Sequence, residues 1–414
     1  MKLKIPVWYS DRNVDITLPD GAIVDLFDLP ARRLSPVSSN HWVNSHQAPE
    51  ALCDFIAASR RLLIVVNDRY RPTPTAQILR SLESAIDFAS TRILVATGLH
   101  PATSSVDNKF QFGVLADKVA SILHIHDAAD ENHLTAFGSG DKAVRLNSLF
   151  AWCDSILTVG SVEPHYFAGF TGGRKIILPG CASFADVEMN HAHAVSAASQ
   201  PLARQGNPVF DDIQTRTAAL DEIPRQSIQV VCDHDQNIYF AASGNWDESF
   251  DLACDFVIAN YSRAIAEKYD LVISVVYPPL DRNLYQLQKS YENVQSSVRD
   301  GGTILLISAC RDGIGDERFL KIAAEFASAG VSAFENNAKL IMGIHKVART
   351  ITLAKRVDLV LCSTLDASLL QHLPIAAHNQ LQATIDELIS KYGNKCKIAV
   401  VLDAASQVLY HHAA

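Results

Sequence analysis

Seven short, nearly continuous apolar runs set the limits on how this chain can fold. They are LLIVV at 62–66, RILVAT at 92–97, SILTV at 155–159, LVISVV at 271–276, TILLIS at 303–308, LVLC at 359–362 and IAVVL at 398–402. Runs of this length rich in Val, Ile and Leu read as strands buried on both faces. Segments with helical spacing separate them. One opens at Pro74, preceded by Thr73 and followed by TAQILRSLESAIDFA; Pro at the first helical position is a start signal. Another opens at Ser183-Phe-Ala-Asp186, a capping box that predicts a helix through about Ser199. Buried strands alternating with helices predict an α/β fold with mostly parallel sheets.

With 414 residues, the chain is long enough for two or three domains. The strand runs fall into an early and a late series, which predicts an N-terminal domain over 1–268 and a C-terminal domain over 269–414. The start, 2–27, reads as short strands with a turn at Pro19-Asp20-Gly21. The Pro/Ser/His-rich stretch 29–49 reads as an ordered connection holding Trp42, and IQVVCDHDQNIYFAASG at 228–244 reads as a β-hairpin.

Apolar residues make up 48% and charged residues 20%, the balance of a globular protein rather than a disordered one. A net charge of −9 gives no footprint for nucleic acid. A small anionic substrate therefore needs positive charge concentrated locally. The opening MKLKIPVWYSDRNVD has no apolar signal core, and no run of about 18 apolar residues predicts a membrane span. Eight cysteines without a CxxC pair suit reduced thiols, hence a cytoplasmic setting. The sequence leaves self-association open.

The unusual polar residues follow the strands: Asp68 and Arg71, then His100, then Glu163, His165, Arg174 and Lys175, then Tyr285, Gln286 and Lys289. In open parallel sheets ligands bind beyond the carboxyl ends of the strands, so these clusters could share one crevice. The loop VGSVEPHYFAGFTGGRKIILPG at 159–180 is the most distinctive. It fails the phosphate-loop pattern, because Arg174 precedes the Lys and Ile176 follows it. Lys175 could act as a nucleophile if its pKa were lowered; a solvated Arg-Lys pair fits the composition equally well. His124, His126 and Asp127 could serve a zinc hydrolase, although a polar sheet edge is the simpler reading. His191 and His193, two apart on a predicted helix, point too far apart to share a metal easily. Asp68 and Arg71 suit an anion-binding turn or a local salt bridge, and Gln286 and Lys289 share a helix face that could be merely solvated. Cys181 and Cys310 read as packing.

The segments NDRYRPTP (67–74), ATGLHPAT (96–103), EPHYFAGFTGGRKIILPG (163–180), MNHAHA (189–194) and LDRNLYQLQKS (280–290) together resemble the nickel-pincer lactate racemase family. The resemblance implies a two-domain α/β enzyme with its active site in the cleft between the domains. It implies nickel in a pyridinium-3,5-bisthiocarboxylic acid mononucleotide, built by separate maturation enzymes and attached covalently at Lys175. His191 would ligate nickel, and His100 and His165 would be the acid/base pair. Asp68, Arg71, Thr73, Gly172, Gly173 and Arg174 would help hold the cofactor, and Arg71, Tyr285, Gln286 and Lys289 the substrate. The implied reaction oxidises a 2-hydroxy acid to its keto acid and returns hydride to the opposite face. A sulfur-rich donor set with one imidazole is compatible with square-planar nickel.

Lactate-specific members of the family carry a tryptophan in a DQW-like segment, whereas this chain has ENNAKLIMGIHKVA at 335–348. The departure widens the expected substrate from lactate to larger or dicarboxylic 2-hydroxy acids. There His345 and Lys346 could contact an extra acidic or polar group, although a surface helix is the simpler reading. Besides the zinc hydrolase, a non-catalytic cofactor-binding relative remains an alternative. A nicotinamide dehydrogenase lacks support because no GxGxxG follows a strand.

Overall fold

A computed structural model describes residues 3–38, 41–45, 48–100, 105–278, 280–329, 343–393 and 395–411. Positions 101–103 of ATGLHPAT, 279 and 335–342 of the ENNAKLIMGIHKVA segment lie outside the described residues. The fold separates into two compact units. One is Leu34–Asn260; the other joins Met1–Arg33 to Tyr261–Ala414. The chain therefore does not divide into 1–268 and 269–414. Three opening strands, β1 (Leu3–Tyr9), β2 (Arg12–Leu18) and β3 (Ile23–Phe27), belong with the later unit. β1 and β2 form an antiparallel hairpin, and β3 pairs in parallel with the far strand Lys397–Val401. That long-range ladder fixes the assignment.

The unit Leu34–Asn260 is built on β4 (Leu62–Asn67), β5 (Thr91–Ala96), β6 (Leu123–Ile125), β7 (Ser155–Ser161), β8 (Arg225–Cys232) and β9 (Ile238–Gly244). Their order across the sheet is β9-β8-β7-β4-β5-β6. All neighbours are parallel except β8 and β9, the expected hairpin. Every residue of β7 and all of β4 but Asn67 are buried, as their continuous apolar runs require.

Helix α1 (Thr75–Leu82) follows β4 with Pro74 as its N-cap, and stops before the expected ESAIDFA extension. There Asp87 draws the Ala89 N–H and the Ser90 hydroxyl to its carboxylate, favouring a turn over further helix. Helix α2 (Phe184–Ala192) starts as predicted, with Ser183 Oγ accepting the Asp186 N–H at 3.2 Å. It ends well short of Ser199, whose hydroxyl bonds the His193 carbonyl instead. Asp186 is buried and ion-paired to Arg216 of helix α3 (Pro208–Thr217), which also donates to Ala143 O at 2.7 Å. This pair clamps α2, the helix that carries His191.

The second unit is built on β10 (Tyr269–Val275), helix α4 (Leu284–Val294), β11 (Val298–Ile307), helix α5 (Ile344–Ala354), β12 (Asp358–Cys362), β13 (Ile375–His378) and β14 (Lys397–Val401). With β3 they form a parallel sheet in the order β13-β12-β11-β10-β14-β3. All eight cysteines are free thiols, and burial pushes Cys310 up to about 11, consistent with a packing role. Among the described residues, no helix is long and apolar enough to cross a membrane.

Asp186→Ala leaves the buried Arg216 guanidinium with only the more distant Asp212 carboxylate, 3.9 Å from Nη1. Unfolding by denaturant is expected to show a loss of about 3–5 kcal/mol, largely recovered in the double variant with Arg216→Met. A single variant within about 1 kcal/mol of the wild type would contradict the clamp.

Candidate active site

The parallel register brings the carboxyl ends of β5, β4 and β7 level: Asn67 lies opposite Ala96, and Val66 opposite Val159. Just beyond β4, the buried Asp68 accepts from His100 Nδ1 at 2.6 Å and from the Tyr70 N–H at 3.2 Å. A carboxylate only accepts, so the His100 hydrogen sits on Nδ1 and the neutral ring presents a lone pair at Nε2. The side chain of His100 is 46% exposed, and its ring packs on Tyr70 with centroids 4.6 Å apart. Asp68 thus orients a histidine, with one hydrogen bond on each carboxylate oxygen. Thr73 is also internal. Its hydroxyl joins Asn67 Oδ1 at 2.8 Å and Ser161 Oγ at 3.0 Å, tying β4 to β7.

Arg71 reaches across to Glu163, Nη1 to Oε2 at 3.3 Å, with both side chains partly exposed. Glu163 leads into a two-residue strand, Pro164–His165, which doubles back on Gly169–Phe170. In this hairpin the Ala168 N–H donates to His165 Nδ1 at 3.2 Å. An amide only donates, so the neutral His165 ring carries its hydrogen on Nε2, the reverse of His100. Gly169 at φ 79 has no room for a side chain, because an added Cβ would fall on Ala203 O.

Phe167 gathers the remaining groups. Its ring centroid is 4.5 Å from that of His165, 5.1 Å from that of His191 on α2, and 5.6 Å from Lys175 Nζ. Lys175 lies in a single helical turn, Gly173–Ile176. Arg174 beside it is held by two aspartates. Its Nε and Nη2 bind both oxygens of Asp247, and Nη1 binds Asp221 Oδ1, all at 2.9 Å. Burial works against its charge, but the Asp247 and Asp221 bonds outweigh that and hold its pKa above the usual arginine value. Gly172 and Gly173 are likewise fixed by protein. An added Cβ would meet Gln229 Oε1 at 2.7 Å and the Phe250 ring at 2.8 Å, respectively.

The zinc alternative fails on the use of its nitrogens. His126 is buried, with Nε2 donating to Ala182 O at 3.0 Å and Nδ1 accepting from Asn147 at 3.5 Å. His124 lies on the edge strand β6, and burial lowers the pKa of both rings. Among the described residues, no three His, Cys, Asp or Glu side chains are grouped to hold a metal.

In the second unit, Asn283 caps α4 by accepting the Gln286 N–H at 2.9 Å. Tyr285, Gln286 and Lys289 occupy its first turns, and Tyr285 packs edge-on to Phe319. His345 and Lys346 do not lie on a surface helix: they are 5% and 6% exposed in the first turn of α5. The sequence reading placed Glu163 at a strand end without giving it a role, and left Phe167 and Lys346 out of the site. The aromatic run PHYF inside a glycine-rich loop was the available signal for Phe167.

Residues 9–202 match the lactate racemase N-terminal domain, and residues 265–409 the lactate racemase C-terminal domain. The chain is 33% identical over 286 residues to the lactate racemase of Lactiplantibacillus plantarum, a match covering 65% of each protein and so just under two thirds of that relative's length. It is 30% identical over 338 residues to the lactate racemase of Thermoanaerobacterium thermosaccharolyticum, covering 74% of this chain and 77% of that one. The solved lactate racemase apoprotein of the same organism superposes with a TM-score of 0.84 at 23% identity, covering 98% of this chain and 100% of that one. A Thermotoga maritima structure superposes at 0.68 with 14% identity, covering 91% and 99%. The two superpositions establish the shared α/β fold. Matched by both domain models and by a relative at 30% identity over most of its length, the chain belongs to the lactate racemase family.

Proposed function

We propose that the chain racemises or epimerises a 2-hydroxy acid, lactate or a larger one, using nickel in a pincer mononucleotide. The observation that carries this reading is one run of contacts at neighbouring strand ends. It leads from His100 through Asp68 and its turn to Arg71, Glu163 and His165, and on through Phe167 to Lys175 and His191. Lys175 and His191 fit such a cofactor. An amine and an imidazole flank one aromatic ring, so Lys175 would hold the group covalently and His191 would hold its nickel. When bound, the group supplies an electrophilic carbon that accepts the Cα hydrogen with its electron pair and gives it back.

The protein's own part is to bind the acid and handle the hydroxyl proton. That proton must leave as the Cα hydrogen departs as hydride, because Cα–H itself is a poor acid. His100 Nε2 is the resting base, since Asp68 keeps the other nitrogen protonated. His165 rests as a donor, its Nε2–H suited to an oxygen bearing negative charge. For His165 to take a proton at Nε2, the ring must release the Ala168 amide and move its hydrogen to Nδ1. Arg71, already holding the Glu163 carboxylate, is suited to a substrate or cofactor anion. Tyr285, Gln286 and Lys289 are the proposed carboxylate ligands of the second unit. Cofactor maturation enzymes are the proposed partners, and a cytoplasm suits the eight free thiols.

The test is to co-express the chain with cofactor-maturing enzymes and follow enantiopure 2-hydroxy acids by chiral chromatography. Each enantiomer of the true substrate should converge on a mixture; no exchange of any acid by nickel-loaded protein would leave a non-catalytic relative. His100→Ala and His165→Ala are each expected to slow exchange by about 10²–10⁴-fold with nickel content unchanged. Near-wild-type rates would remove that histidine from the pair. Intact mass should show a covalent adduct on matured protein that Lys175→Ala abolishes; an adduct that persists would place the attachment elsewhere.

A further inference from the structure

Helix α4 rests on a buried amine that the proposed reaction does not use. Lys346 Nζ lies 3.7 Å from the centroid of the Tyr285 ring and donates to the Tyr285 carbonyl at 3.1 Å. One side chain therefore holds both the ring and the main chain of a residue in the first turn of α4. Gln286 and Lys289 project from the same two turns.

The surroundings of this amine are finely balanced. Lys346 lies in the first turn of α5, the positive end of the helix dipole. Burial, and after it the positive charge of Lys289, lower its pKa to about 7. Glu292 of α4 and Asp316, before the helix that carries Arg318, pull the other way. Both acids already hold arginines: Glu292 binds Arg349 at 2.6 Å and Asp316 binds Arg318 at 2.8 Å. His345, the neighbour on α5, is buried as well, and burial keeps the Tyr285 phenol neutral by pushing it up to about 12. The local sum is basic, so an added carboxylate beside Lys289 favours the charged amine.

We propose that Lys346 is a positioning residue for anion binding on α4: it sets the first turn through Tyr285, and takes a proton from solvent when a carboxylate is held at Lys289. The proton returns to solvent on release. This rests on the reading of α4 as the carboxylate-binding helix. The sign follows from linkage. The free amine titrates near 7 and the anion-bound amine higher, so affinity is full below about pH 7 and falls as pH rises, by up to about tenfold per pH unit, until the bound form also loses its proton.

The experiment measures binding of 2-hydroxyisobutyrate and citramalate to matured holoenzyme by calorimetry from pH 6 to 9. Both probes carry a methyl in place of the Cα hydrogen and cannot turn over. Every group other than residue 346 is common to all variants, so differences between profiles read the lysine. Wild-type Kd should rise at least tenfold from pH 7 to 9, with proton uptake seen as a dependence on buffer ionisation heat. Lys346→Met should bind more weakly at pH 6 and lose most of the rise; Lys346→Arg should hold the pH 6 affinity up to pH 9. Parallel profiles for wild type and Lys346→Met would overturn the proposal. If the Met variant fails to fold by circular dichroism, Lys346→Arg decides: a wild-type-like rise would overturn it. Failure of the wild type to bind either probe at any pH would instead overturn the reading of α4, and this proposal with it.

Discussion

The parallel ladder of β5, β4 and β7 is the constraint on which the site depends. In-register pairing of buried strands ends all three at one level, so whatever follows each strand is delivered to the same edge. Asn67 fastens that edge: its side-chain oxygen accepts from the Ser161 N–H at 3.1 Å and from the Thr73 hydroxyl at 2.8 Å. The turn with Asp68 and Arg71, the loop with His100, and the hairpin with His165 then have little choice of position.

Charge is divided between structure and chemistry in this unit. Arg174 and Arg216 are buried and engaged by protein, Arg174 by Asp221 and Asp247 and Arg216 by Asp186 and the Ala143 carbonyl, so they serve the fold. Breaking one partner of such a pair is far more damaging than the pair is stabilising, which makes these arginines structural anchors beside the site. Arg71, Lys175 and His100 retain exposure and can meet a ligand. Phe167 supplies the common wall. His165, His191 and Lys175 all pack against it.

Much of this was legible in the sequence where the cause is local. Continuous apolar runs betrayed the doubly buried strands, and Ser183 with Asp186 announced the start of α2. What escaped depends on distant partners. β3 reads as a minor N-terminal strand, half exposed, and only its pairing with β14 reveals which unit it joins. Arg174 sits in a loop that invites a phosphate, yet Asp221 and Asp247, far along the chain, claim its guanidinium. Lys346 looks like part of a surface face because a lysine is seldom buried, and only the packing of α5 on Tyr285 shows otherwise.

The opposed histidines are the centre of the account. Asp68 and the Ala168 amide impose opposite tautomers on two rings proposed to share one reaction, giving a resting base and a resting donor. The direct measurement is long-range proton–nitrogen correlation NMR on ¹⁵N-histidine protein above neutral pH, with His100→Gln and His165→Gln to assign the signals. The account predicts an Nδ1–H tautomer for His100 and an Nε2–H tautomer for His165. Finding the same tautomer on both rings, or the reverse assignment, would contradict it.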